Sequence, residues 1–92
     1  MTQPQNVNTT LEERGSRYGR FDTHADITQK LKDAMREHPG WPRLSPAQRE
    51  SLEMIAHKIG RIVNGDPNYA DSWHDIAGYA SLVDKLLNGQ PI

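Results

Sequence analysis

The tetrapeptide Ser45-Pro46-Ala47-Gln48 restricts the fold of this chain more than any other stretch. Ser45 is placed as an N-cap, Pro46 takes the first helical position where a missing N–H costs nothing, and Gln48 completes a capping box. The helix so opened runs to Val63 or Asn64, with Gly65 suited to the position just past a helix end. Asp66-Pro67 restarts the chain at once, and a further helix is predicted from about 68 to 87, with Gly89 beyond it. Two long helices, 46–64 and 68–87, joined by about four residues must fold back as an antiparallel hairpin.

Upstream, Asp22 or Thr23 can cap a helix over about 22–36, with Phe21, Ala25, Thr28, Leu31 and Met35 as its inner stripe. His38-Pro39-Gly40-Trp41-Pro42 ends it. The stripe expected on the second helix is Leu52, Ile55, Ile59, Ile62 and Val63. On the last it is Tyr69, Trp73, Ile76, Ala80, Val83 and Leu87. Residues 1–8 lack periodicity and read as a disordered tail, leaving 9–92 as a single helical domain. Thr10 can cap a short turn over 11–14, and Gly15 to Phe21 reads as a loop. No alternating strand pattern occurs. The predicted class is all-α: a helical hairpin with a third helix packed across it.

Only 35% of the chain is apolar and its mean hydropathy is −0.82, so the available core is thin. A thin core in so short a chain predicts a homo-oligomer. With no cysteine, disulfides and thiolate metal sites are excluded. The sequence shows no signal segment and no long apolar run, which predicts a cytoplasmic protein away from membranes. A net charge of −1 makes DNA an unexpected partner.

Three constellations carry chemistry. Glu50-x-x-Glu53 and Asp71-x-x-x-Asp75 each place two carboxylates on one helix face, suited to a hard cation such as Mg²⁺ or Mn²⁺. The same acids also fit a solvated face, since Glu50, Glu53, His57 and Arg61 fall opposite the Leu52/Ile55/Ile59 stripe. The two pairs can converge only if each helix buries a second face. Arg14 and Arg17, with Lys58 and Arg61 downstream, are candidates for gripping phosphate, and Tyr18 for stacking on a base. Lys58 and Arg61 can equally bridge to Asp71 or Asp75. Trp73 and Tyr79 read as core or interface anchors or as stacking platforms, Gly78 as a close helix–helix approach, and His24 and His38 as surface residues.

Three segments carry a resemblance: Leu11-Glu-Glu-Arg14-Gly-Ser-Arg-Tyr18-Gly19, Met54-Ile-Ala-His-Lys58-Ile-Gly-Arg61-Ile, and Asp71-Ser-Trp73-His-Asp75-Ile-Ala-Gly78-Tyr79. Together they resemble a family of small uncharacterised helical proteins encoded mainly by tailed phages and prophages. More distantly, the chain is similar to phage nucleotide-modification-associated helical domains and to MazG-type all-α nucleotide pyrophosphohydrolases. The latter likeness implies magnesium-dependent cleavage of nucleoside triphosphates by acids on two helices. Glu50-x-x-Glu53 matches its first motif, whereas His74 stands where the second motif has a carboxylate. The expected function is therefore nucleotide-related, with metal-dependent pyrophosphohydrolysis as one form. The alternative is a non-catalytic module that sequesters a nucleotide or docks on a host or phage protein.

Overall fold

The computed structural model describes residues 6–92. Four helices follow in order: α1 (Val7–Tyr18), α2 (Phe21–Glu37), α3 (Pro46–Asn64) and α4 (Ala70–Leu87), with a 3-10 turn at Trp41–Arg43 before α3. The local signals that define α3 operate as the sequence requires. Ser45 Oγ accepts from the Gln48 N–H at 3.2 Å, and Gln48 Oε1 accepts from the Ser45 N–H at 2.8 Å. The α3–α4 connection is antiparallel, with the Ser51 hydroxyl donating to the Tyr79 carbonyl and Lys58 reaching Asp75 at 2.9 Å.

The N-terminal region departs from expectation. Asn6 caps α1 by accepting from the Asn8 N–H, so positions 7 and 8 of the expected tail are helical, and residues 1–5 lie outside the described residues. The turn expected over 11–14 is part of a full helix that continues through Gly15, whose N-terminal and C-terminal neighbours hold it. Its carbonyl accepts from the Gly19 N–H, and Ser16 Oγ donates back to Glu13. A single glycine costs a helix about 1 kcal/mol, too little to stop this one. The break falls instead at Gly19, at φ 78°, in the left-handed region glycine tolerates. α2 then starts at Phe21, with Arg20 rather than Asp22 or Thr23 at its N-cap.

Packing is arranged around α3. It contacts α4 on one flank and α2 on the other, and α2 and α4 share no substantial contact. The third helix therefore lies beside the hairpin, against α3 alone, giving a single layer of three helices. This geometry explains why the expected stripes are rotated. α3 buries Ser51 toward α4, and Ala56 and Gly60 toward α2. Leu52, Ile59 and Val63 fall between those two flanks and are exposed. On α4, Ser72 is buried while Trp73 is 55% exposed. Ala56 is the one buried hydrophobic side chain among the described residues. The close helix–helix approach is at Gly60, not Gly78: a Cβ at Gly78 would meet open space, and one at Gly60 would strike Thr28 and His24. His24, expected at the surface, is 4% exposed for the same reason, because the side-chain-free surface of Gly60 admits its ring.

Candidate functional site

The corner where α1 turns into α2 is pinned by one side chain. Asn64, at the end of α3, donates through Nδ2 to the Tyr18 carbonyl at 2.8 Å and to the Arg20 carbonyl at 2.9 Å. The Asp66 N–H adds a bond to the Arg17 carbonyl at 2.7 Å, beside Gly65, where a Cβ would strike backbone atoms of Arg17 and Tyr18. Aromatic contacts extend the joint: Tyr18 meets Tyr69 edge-on, Arg61 lies 4.1 Å over the Tyr18 ring, and Arg17 lies 5.0 Å over Tyr69.

From this corner α1 diverges from α2 and α3, leaving a cleft of about 530 Å³, a volume typical of small-molecule sites. α1 contributes Leu11, Arg14, Gly15 and Tyr18; the corner contributes Gly19, Arg20 and Phe21; His24, His57 and Arg61 complete the lining. The floor is an ordered pair of imidazoles, edge to face at 4.7 Å. His24 Nε2–H donates to the His57 carbonyl at 3.0 Å, with Thr28 Oγ1 3.2 Å from the same nitrogen. Because a carbonyl only accepts, this contact fixes the His24 tautomer. Phe21 is 79% exposed at the rim.

Burial, reinforced by the positive charges of Arg61, His24, Lys58 and Lys32, pushes the His57 pKa down to about 4. At neutral pH His57 is therefore uncharged, and the permanent positive charge of the cleft is that of its arginines. Arg20 is engaged by Asp22 through two hydrogen bonds. Neither Arg14 nor Arg61 makes an ion pair among the described residues, and Arg61 lies over the Tyr18 ring face. A stability prediction follows from His57. Its folded pKa lies below the unfolded 6.5, so the unfolded chain binds the extra proton first as pH falls. Its contribution is complete above pH 6.5 and lost on descent toward about 4. With partial solvent screening the loss is on the order of 1 kcal/mol, or about 4–8 °C in melting temperature. Thermal unfolding across this range should show a steeper pH dependence in the native protein than in His57→Gln.

Of the residues singled out from sequence, Arg14, Arg61 and Tyr18 are brought together in the cleft. Arg17 is drawn off to Tyr69, and Lys58 to Asp75, whose carboxyl that hydrogen bond holds below the usual range. The four candidate metal ligands do not converge. Glu53 is held by Arg36 of α2, on the flank of α3 opposite α4. Asp75 pairs with Lys58, which places Glu53 five residues short of it along α3, roughly 7 Å at the helical rise. Glu50 and Asp71 are exposed. Among the described residues no three His, Cys, Asp or Glu side chains are grouped to hold a metal ion. So placed, the donor set does not fit Mg²⁺ or Mn²⁺. Trp73 lies outside the cleft, its indole N–H donating to the Pro67 carbonyl, and Tyr79 lines a shallow depression beside His74 and Leu82. Sequence reading missed Leu11, Phe21, His24, His57 and Asn64 as site residues. The spacing Leu11, Arg14, Tyr18 was the available signal, visible once α1 is read as one helix.

Fold and cleft together define a small all-helical domain with a cleft lined by arginines and aromatic rings. The chain belongs to the domain family of unknown function DUF6378, matched over residues 5–87 and so across all four helices. No curated protein and no solved structure matches it. No helix among the described residues is long and apolar enough to cross a membrane.

Proposed function

We propose that the cleft binds a small phosphate-bearing ligand with a flat ring, the chemistry of a nucleotide, and holds it without metal-dependent hydrolysis. The observation that carries this reading is the segregation of charge. The chain has more acidic than basic side chains, 12 against 11, yet the cleft is lined by three arginines and no carboxylate. Arg14 and Arg61, both in the cleft lining, would donate paired hydrogen bonds to phosphate oxygens. The exposed Phe21 would supply a ring face for a base, beside Tyr18, one face of which Arg61 covers. An open cleft with aromatic walls and a cationic mouth has this ligand class as its chemical complement.

The separated carboxylates favour sequestration or delivery over the pyrophosphohydrolase chemistry of MazG-type enzymes. The phage and prophage proteins that the three motifs resemble supply a setting: a nucleotide pool in the host cytoplasm that a phage redirects. That origin, and cytoplasmic location with it, is part of the proposal.

Calorimetric titration with nucleoside mono-, di- and triphosphates in the presence of a chelator tests it. Saturable binding is expected, and Arg14→Ala is expected to weaken it about 10-fold or more, the usual worth of a charge-assisted hydrogen bond. Arg14 is the better probe because Arg61 also supports the Tyr18 ring. Phosphorus NMR of the same samples with added magnesium should show no new monophosphate or pyrophosphate. Absence of binding, or an unchanged affinity in Arg14→Ala, overturns the site; chelator-sensitive turnover overturns the non-hydrolytic assignment.

A further inference from the structure

A stable domain buries the apolar side of one layer of secondary structure against a second layer, and in this chain the second layer is missing. α2, α3 and α4 lie side by side, and α1 reaches only the corner and the cleft. At about 100° per residue, with Ser51 facing α4 and Gly60 facing α2, one side of the layer collects Leu31, Leu52, Ile59, Val63, Trp73 and Leu87. Val63, Trp73 and Leu87 are 67, 55 and 71% exposed. The groove between α3 and α4 on this side, lined by Leu52, Ile55, Ala80 and Val83, continues the patch. His57 and Arg61, in the cleft, fall on the opposite side of α3.

We infer that this face is the interface of a two-fold dimer, covered by the same face of a second copy of the chain. Two quantities favour a second copy. The accessible surface is 6785 Å², against about 5,400 Å² for a compact monomer of this mass. The excess of roughly 1,400 Å² belongs to the whole chain, α1 and the cleft walls included, and it is large enough to contain the ~800 Å² that each partner contributes to a standard stable interface. The radius of gyration agrees, at 15.8 Å where about 12 Å suits a compact chain of this length. A two-fold contact sets a patch against itself, so the patch must not repel its own image. This one meets the condition: its centre is uncharged, with Asp84 at its outer edge. A charged partner would find no counterpart there. Dimerisation in this way supplies the missing layer and leaves the arginine cleft open on the far side, so it stands apart from the ligand proposal.

Size-exclusion chromatography with light scattering on the full chain is the test, and a mass twice the 10.4 kDa of one chain is expected. Val63→Asp places a charge that a monomer would leave in water but the dimer must bury twice. It is expected to raise the dissociation constant at least about 100-fold while helical circular dichroism at high concentration persists. The chain has no cysteine, so single cysteines report each face without interference. Ala80→Cys should become protected from a thiol reagent as concentration rises, and Glu50→Cys, on the opposite side, should not. A native chain that is folded and monomeric throughout, a dimer indifferent to Val63→Asp, or equal reactivity of the two cysteines overturns the assignment.

Discussion

Gly60→Ala is expected to lower the melting temperature by about 10 °C, although alanine is the better helix former. The added Cβ would overlap Thr28 Oγ1 and sit 3.0 Å from His24 Cδ2 and 3.2 Å from His24 Nε2. Neither neighbour can step aside, since Thr28 is 3% exposed and His24 is tied to the His57 carbonyl. Overpacking of this kind costs about 1–3 kcal/mol. Displacing His24 adds the penalty of a buried donor left unpaired, about 1–3 kcal/mol. The helix-propensity gain of about 1 kcal/mol offsets only part, leaving a net loss of about 1–5 kcal/mol, the lower half of which corresponds to the shift of about 10 °C. Gly78→Ala is the control, because it gains the same propensity term and meets nothing within 4 Å. Thermal unfolding by circular dichroism should move the two variants in opposite directions. Equal shifts would mean that α2 does not rest on Gly60.

The contrast between these two glycines shows what a sequence of this kind discloses. The beginning and end of α3, the end of α4 and the antiparallel hairpin rest on local chemistry, a capping box and a proline-bounded connection, and all were legible. The depth of each side chain was not, because a helical wheel drawn for one buried face fails when a helix is flanked on two. α3 is such a helix: Leu52, Ile59 and Val63 read as its core but fall between its flanks, while Ser51, Ala56 and Gly60 are buried. Nothing local distinguishes Gly60 from Gly78. The acidic pairs misled for a related reason. Spacing places two carboxylates on one helix face, but the stagger between helices, which Lys58 and Asp75 record, separates Glu53 from Asp75. Half of the cleft was legible in the Arg14–Tyr18 segment and Arg61. The other half required α1 to be continuous through Gly15, a glycine that sequence reading takes as a stop.

Asn64→Ala is expected to release α1 while leaving the three-helix layer folded. α1 buries none of its residues, and it touches α2 and α3 far more sparsely than α2 and α4 touch α3. Its position therefore depends on the corner, where Asn64 alone supplies two of the hydrogen bonds that hold the Tyr18 and Arg20 carbonyls. Each such bond is worth about 0.5–1.5 kcal/mol net, a large share of the stability of so lightly packed an element. Backbone amides of α1 should lose about 10-fold or more in hydrogen-exchange protection, with α3 amides around Ala56 unchanged. Because Leu11 and Arg14 form one wall of the cleft, ligand affinity should fall with that protection, even though residue 64 does not line the cleft. Asn64→Asp should behave alike, since a carboxylate cannot donate to either carbonyl. Unchanged exchange in α1 would mean that the aromatic contacts of Tyr18 hold the corner without Asn64. A fall in protection with affinity intact would show that the ligand rests on α3 and the start of α2 alone.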